Sequence, residues 1–348
     1  MSDPRPDGTT APEGAKPRNV SAAYASPSAG DGTTAPEGAK PRGVGRAAGV
    51  ATIVLTLLGW SSVPLFLRHF TGSMDPWTSN GWRYGFAALL WAPVVLLGLR
   101  RRNLPRGIFR AALVPGIVNA AGQVFYTWAH YKVEPGLLSF GFRTQIVFVA
   151  IGAYALFPDE RRLVRMKGFW GALGLLVLGA AGTLFLGEGP LPAASAVGFG
   201  MAVLSGALFA AYYLSVRKCM SGYPSIVSFA VISQYTAAIM VALMLLVGTD
   251  LGAAPARLPG GELSLLLLSA VIGIALGHVF YYVAIKELGV AASSGVLQVQ
   301  PICVAVGSWF LFGEKLAAGQ WAGGALAIIG ALTILLLERR ASAVGGPT

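Results

Sequence analysis

GQVFYTWAHYKVEPGLLSFGFRTQIVFVAIGAYALF, residues Gly122–Phe157, returns 155 residues later as GHVFYYVAIKELGVAASSGVLQVQPICVAVGSWFLF, residues Gly277–Phe312. Twelve of the 36 aligned positions are identical. Shared apolar composition explains some of these matches. It does not explain the glycines, the tyrosines, Ser139 on Ser294 or Gln145 on Gln300. Upstream, Trp60 and Arg68 fall on Phe209 and Arg217 at a nearby offset. The chain therefore reads as two copies of one unit.

Both copies are strongly apolar. Of 348 residues 55% are hydrophobic and 12% charged, and the mean hydropathy is +0.64. Soluble domains carry roughly 25% charged residues, so lipid is the expected main solvent. A crossing helix needs about 20 apolar residues. Ten stretches qualify: 47–67, 77–99, 108–130, 136–157, 168–187, 193–216, 225–248, 263–285, 290–312 and 317–337. Each copy then holds five helices. Five is odd, so the second copy enters the membrane in the opposite sense. The fold class is an all-α integral membrane protein of ten transmembrane helices, arranged as two inverted five-helix repeats. Such an arrangement places a site at the repeat interface, near the bilayer midplane.

The expected division is a disordered cytoplasmic tail over 1–46, a first repeat over 47–190, a second over 191–338 and a C-terminal tail over 339–348. Pro, Gly, Ala, Ser and Thr dominate the first segment, which lacks the apolar mass to offset the entropy of ordering. It contains DGTTAPEGAKPR twice, at Asp7–Arg18 and Asp31–Arg42, which reads as a tandem slip in a linker. With the N-terminus inside, thirteen basic residues fall in cytoplasmic connections, including Arg100, Arg101, Arg102, Arg161, Arg162 and Lys167. Four fall outside: Arg68, Lys132, Arg257 and Lys315. This excess predicts a multi-pass protein of the cell (inner or plasma) membrane with both termini cytoplasmic.

The net charge of +11 is spread in short clusters beside apolar runs. Its expected partner is the lipid bilayer and its anionic headgroups, not nucleic acid. Cys219 and Cys303 provide neither a disulfide framework nor metal-ligand spacing. No cofactor or metal is expected. No oligomeric state can be read.

The motifs resemble the drug/metabolite transporter superfamily, in particular its EamA-type ten-helix members. The resemblance rests on GWSSVP at Gly59–Pro64, WRYGFAALL at Trp82–Leu90, QVFYTWAHY at Gln123–Tyr131 and FPDERR at Phe157–Arg162. In the second copy it rests on VQPICVAVGSWFLFGEKL at Val299–Leu316 and GGALAIIGALTILL at Gly323–Leu336. It implies a central cavity between inverted repeats, and export or exchange of small metabolites such as amino acids. Members carry a proline in the middle of helices 4 and 9. Here helix 9 has Pro301, whereas helix 4 has Ile146, so helix 4 is expected to bend less.

Candidate site residues follow from polarity inside the spans. Asn119, Gln123, Tyr126 and His130 recur at steps of four, three and four, which stacks them on one helix face. Lipid cannot satisfy such groups, so the face turns to protein or to a water-filled cavity. Helix 8 repeats the pattern with His278 and Tyr281. Helices 4 and 9 add Ser139 and Arg143, and Ser294 and Gln298, at matching positions. These groups either line a cavity or bond between helices. Arg83 and Arg143 are the interior cations, and no Asp or Glu falls in any of the ten stretches. An intramembrane charge is by default a functional hypothesis. For Arg143 the candidate roles are a substrate carboxylate, gating or a structural pair; for Arg83, snorkelling, scaffold bonding or substrate contact. Trp60 and Tyr212 line an apolar cavity or simply pack.

The absence of interior carboxylates and of metal or nucleophile constellations argues against an enzyme. The expected function is a secondary carrier of small solutes, with amino acids or other carboxylate-bearing molecules first. Carriage of neutral or cationic apolar compounds, as in drug efflux, comes second, and a receptor or assembly protein a distant third.

Overall fold

The structure, a computed structural model, describes residues 42–157, 161–190, 192–288 and 290–343. The first 41 residues, with all but the last residue of the duplicated segment, lie outside the described residues. Among the described residues, ten helices are long and apolar enough to cross a membrane: Gly45–Gly72, Pro76–Arg100, Ile108–Ala129, Pro135–Leu156, Lys167–Phe185, Ala193–Met220, Ser225–Val247, Gly260–Tyr281, Ser293–Phe312 and Ala318–Leu337. They are called spans 1 to 10 below. Ten passes return the chain to the face it left. The face at the start of span 1 is here the near face, and the opposite one the far face.

The ends differ in detail from the sequence expectation. Span 1 belongs to a helix that begins at Arg42, and span 10 to one that runs on to Ala343. Basic and small residues at membrane ends carry helical bonding past the apolar run, which hydropathy alone does not register. Span 2 opens on an N-cap: Asp75 accepts from the Trp77 and Thr78 amides at 2.9 and 3.0 Å, with Pro76 at the first helical position.

Span 3 packs on span 6, and span 8 on span 1; span 4 packs on span 6, and span 9 on span 1. These are the same pairings in the two copies. They are matched residue by residue. Gly122 of span 3 faces the Phe209 ring of span 6, and Gly277 of span 8 faces the Trp60 ring of span 1. Gly152 of span 4 faces Leu214 of span 6, and Gly307 of span 9 faces Leu65 of span 1. The inverted repeat seen in the sequence is thus a repeat of contacts, with the Gly307–Leu65 contact toward the far face and Gly152–Leu214 toward the near face.

Spans 5 and 10 meet back to back on glycine. A Cβ on Gly323 would lie 2.5 Å from the Thr183 amide nitrogen and 2.7 Å from the Gly182 carbonyl carbon, both backbone atoms, so only glycine permits this approach. Gly171 and Gly174 have nothing within 4 Å of a built Cβ. The seam runs instead through Gly179 and Gly182.

Candidate functional site at the interrupted helices

Span 4 is not one continuous α-helix. It runs as Pro135–Phe142 and Gln145–Leu156, and at the joint the amides of Arg143, Thr144, Ile146 and Val147 bond three residues back instead of four. Span 9 is jointed at the equivalent place. Its helix ends at Leu297, resumes at Gln300, and Gln298 and Val299 bond to the carbonyls of Gly295 and Val296. The expectation that helix 4 bends less for want of a proline is therefore corrected. In span 9 Pro301 supplies no N–H and constrains Gln300 before it. In span 4 the Thr144 hydroxyl donates to the Gly141 carbonyl at 2.8 Å, a back-bond that competes with α-helical geometry and bends the helix. Two chemistries produce the same tightened turn. A mid-helix stretch of this kind is a common hinge.

Arg143 sits at the span 4 joint. Its Nη2 donates to the Gln300 side-chain oxygen across the repeat interface, and Gln300 Nε2 donates to the Trp60 carbonyl at 2.9 Å. One cation and one amide thereby tie spans 4, 9 and 1 together at mid-membrane. The bonding is incomplete. Arg143 Nε and Gln298 Oε1 are buried without a hydrogen-bond partner, and each such group is costly unless something completes it; the Gln145 side chain is within hydrogen-bond reach of the Tyr213 hydroxyl. The orphaned groups are thus one donor of the cation itself and one acceptor.

Aromatic rings wall this region in matched sets. Trp60 lies with its ring centre 5.3 Å from those of both His278 and Tyr281, and Phe229 stands 4.6 Å from His278. In the other copy Tyr126 lies 6.3 Å from Phe209 and 5.1 Å from Phe142. Tyr281 and Ser294 share a hydrogen bond of 3.0 Å, and Gln298 Nε2 donates to the Ser294 carbonyl at 3.3 Å.

The other residues singled out in the sequence go elsewhere. Asn119 donates to Thr236 of span 7 at 3.0 Å. The Ser139 hydroxyl donates to Pro135 of its own helix at 2.7 Å. The Gln123 carbonyl takes a long bond from Asn80, 3.4 Å, and Asn80 in turn accepts from Thr127 at 2.7 Å. His130 is fully buried, with Nδ1 2.8 Å from the Tyr126 carbonyl. Tyr212 is buried in the near-face cluster with Ala230, Val231 and Ile232. Arg83 is 3% exposed and donates through Nε to Ser269 of span 8 at 2.9 Å.

The far face is latched. Arg68, at the end of span 1, pairs with Glu314 after span 9 at 2.9 Å, and Ser308 donates to the other oxygen of Glu314. Glu134, at the head of span 4, stands nearby. Burial first, and then the charge of Glu314, push its carboxyl above the usual range, against a smaller pull from Arg68. Asp75 behaves oppositely. Burial pushes it up, but the Thr78 hydroxyl and the amides of Thr78, Thr249 and Trp77 outweigh that and hold it below its ordinary value. Among the described residues no group of three His, Cys, Asp or Glu could hold a metal ion.

A polytopic helical protein with inverted repeats, paired helix joints at mid-membrane and an unsatisfied polar cluster between them has the architecture of a membrane carrier. The sequence model of the EamA-like transporter family matches this chain twice, over residues 47–186 and 196–336, and the chain belongs to that family. An uncharacterized protein of Pseudomonas aeruginosa is 31% identical over 296 residues, covering 82% of this chain and 93% of that protein. A crystal structure described only as that of a protein superposes with a TM-score of 0.54 at 16% identity, over 85% of this chain and 99% of that one. At that identity it speaks to the fold alone.

Gln300, Gln145, Glu314 and Phe229 were not among the candidates read from the sequence. The identity of Gln145 and Gln300 across the repeat was the signal for the first two.

Proposed function

We propose that this chain is a secondary carrier of small carboxylate-bearing solutes, amino acids foremost, working by alternating access between its two repeats. The near face is the cytoplasmic one, on the excess of basic residues in its connections, and the membrane is the cell membrane. The observation that carries the reading is Arg143. It is a cation at a helix joint, bonded to a neutral amide, with an orphaned N–H of its own. The one carboxylate within the bounds of any span is Glu262, in the first turn of span 8. A substrate carboxylate would supply the missing acceptor, while the ammonium of an amino acid would find the orphaned oxygen of Gln298. Trp60, Tyr126, His278 and Tyr281 would enclose the rest of the solute.

The hinges in spans 4 and 9 are where rocking would be absorbed. The Arg68–Glu314 pair and the Gly307–Leu65 contact hold spans 1 and 9 together at the far side, as the Gly152–Leu214 contact holds spans 4 and 6 at the near side. A second reading, carriage of neutral or cationic apolar compounds, draws on the aromatic rings. Purified protein in liposomes, screened with amino acids, organic acids and cationic dyes with and without a pH gradient, separates the two. Uptake confined to the dyes would displace the carboxylate reading.

A further inference from the structure

The end of span 2 and the start of span 7 enclose a groove on the near face. Its volume is about 240 Å³, below the roughly 300–1,000 Å³ usual for sites that take a whole drug-sized solute. Val94, Leu97, Leu104 and Val227 form its wall, and Arg101 and Asn103, both exposed, form its polar end.

The loop that shapes the groove is tightly built. Arg102 takes the left-handed conformation at φ 51°, a place usually given to glycine at a helix end. That turn returns the Asn103 amide to the Gly98 carbonyl at 3.1 Å. It also lays Leu104 on Gly98, where a Cβ would stand 2.5 Å from Leu104 Cδ2. The Tyr223 hydroxyl, from the loop before span 7, donates to the Arg106 carbonyl at 3.2 Å and ties the two rims together.

The charge on these rims is of one sign. Arg100, Arg101, Arg102, Arg106 and Arg110 fall within eleven residues. No Asp or Glu occurs between Asp75 and Glu134, or between Glu188 and Asp250, the stretches that supply both walls. Among the described residues none of the five arginines is in an ion pair. Below them the apolar wall continues onto the outside of span 2, where Leu96, Leu97 and Leu99 are about half exposed. The fitting ligand is therefore both anionic and apolar. Phosphate oxygens accept in pairs from a guanidinium, and an acyl chain suits the wall. The ammonium of a zwitterionic headgroup would meet only like charge here.

We propose that this groove binds one anionic phospholipid of the near leaflet, of the phosphatidylglycerol type, with its phosphate on Arg101 and Asn103 and an acyl chain along Val94 and Leu97. A basic pocket between membrane helices is a recognised form of headgroup site. The bound lipid joins span 2 to span 7, which pack together, and pins their near ends. This site is independent of the carboxylate assignment at Arg143.

The test is native mass spectrometry of full-length purified protein in detergent, with equal amounts of dioleoyl phosphatidylglycerol and dioleoyl phosphatidylcholine. The adduct kept longest as collision energy rises should be a single phosphatidylglycerol. Arg101→Gln should lower its occupancy roughly fivefold, and Arg101→Gln with Asn103→Ala should abolish it. Arg340→Gln removes an exposed basic residue of the near face outside the groove and should leave the adduct unchanged. Melting temperatures without lipid should be alike in all variants, because the altered side chains are exposed. Equal retention of the two lipids by the wild type would overturn the site, as would an adduct that survives the double substitution. So would an equal loss in Arg340→Gln, the mark of diffuse attraction, or displacement of the lipid by an equal concentration of inorganic phosphate, which would mean that the apolar wall holds nothing.

Discussion

Replacing Glu314 by glutamine should loosen the far side of the molecule by an amount the structure bounds. Glu314 takes an N–H from Arg68 at 2.9 Å and a hydroxyl from Ser308. The glutamine oxygen can still accept one of these bonds but no longer as an anion. A charge-assisted bond exceeds a neutral one by about 1 kcal/mol. The ion pair itself, with side chains 35% and 10% exposed, adds roughly 0.5 kcal/mol. Removing the charge also relieves Glu134, whose carboxyl Glu314 pushes up, and this returns a few tenths of a kcal/mol. The net loss is about 1–1.5 kcal/mol, a shift of roughly five- to tenfold in the ratio of far-side-open to far-side-closed forms.

Leu65 reports that opening, because it sits against Gly307 where spans 1 and 9 close the far side. With Cys219 and Cys303 replaced by serine, a cysteine at Leu65 should react with an impermeant maleimide from the far face. Adding Glu314→Gln should raise that rate by roughly five- to tenfold. An unchanged rate would mean that the Arg68–Glu314 pair holds nothing shut. A rise seen only from the near face would mean that the pair does not guard the far side.

Two further outcomes follow from named contacts. Asp75→Ala should destabilise the protein by about 1–2 kcal/mol, through the span 2 cap and the 3.1 Å bond to the Thr249 amide. Because the folded carboxyl is held below 3.8, the stabilisation is present above that value and is lost as pH falls through the lowered folded pKa; melting curves of wild type and variant should converge in acid. His278→Gln should keep substantial flux, alike with and without an imposed pH gradient, because the ring packs between Trp60 and Phe229 and the matching place in the first repeat holds Gln123. Complete loss of gradient-driven flux in this variant would assign His278 to proton coupling.

Much of the architecture was legible before any coordinates. Apolar runs of the right length mark the spans, and the recurrence of Gly122–Phe157 at Gly277–Phe312 marks the inverted halves, because each copy must bury equivalent faces. The joint in span 4 was missed, since proline was taken as the breaker and Thr144 achieves the same turn through its own hydroxyl. The partner of Arg143 was missed for a different reason. Repeat alignment pairs Arg143 with Gln298 as equivalent places, but contacts across a pseudo-twofold axis join non-equivalent residues, and the amide that meets Arg143 is Gln300.

Carboxylate recognition at Arg143 is the central claim, and paired flux measurements on wild type and Arg143→Gln in one liposome preparation test it most directly. With the preferred carboxylate-bearing substrate, the wild type should transport, and the variant should lose about tenfold or more of that flux, the loss of one charge-assisted contact of roughly 1.5–3 kcal/mol, while its yield, insertion and melting temperature stay near those of wild type. Equal flux in the two proteins, from material folded alike, would contradict the assignment and leave Arg143 as a tie between spans 4 and 9.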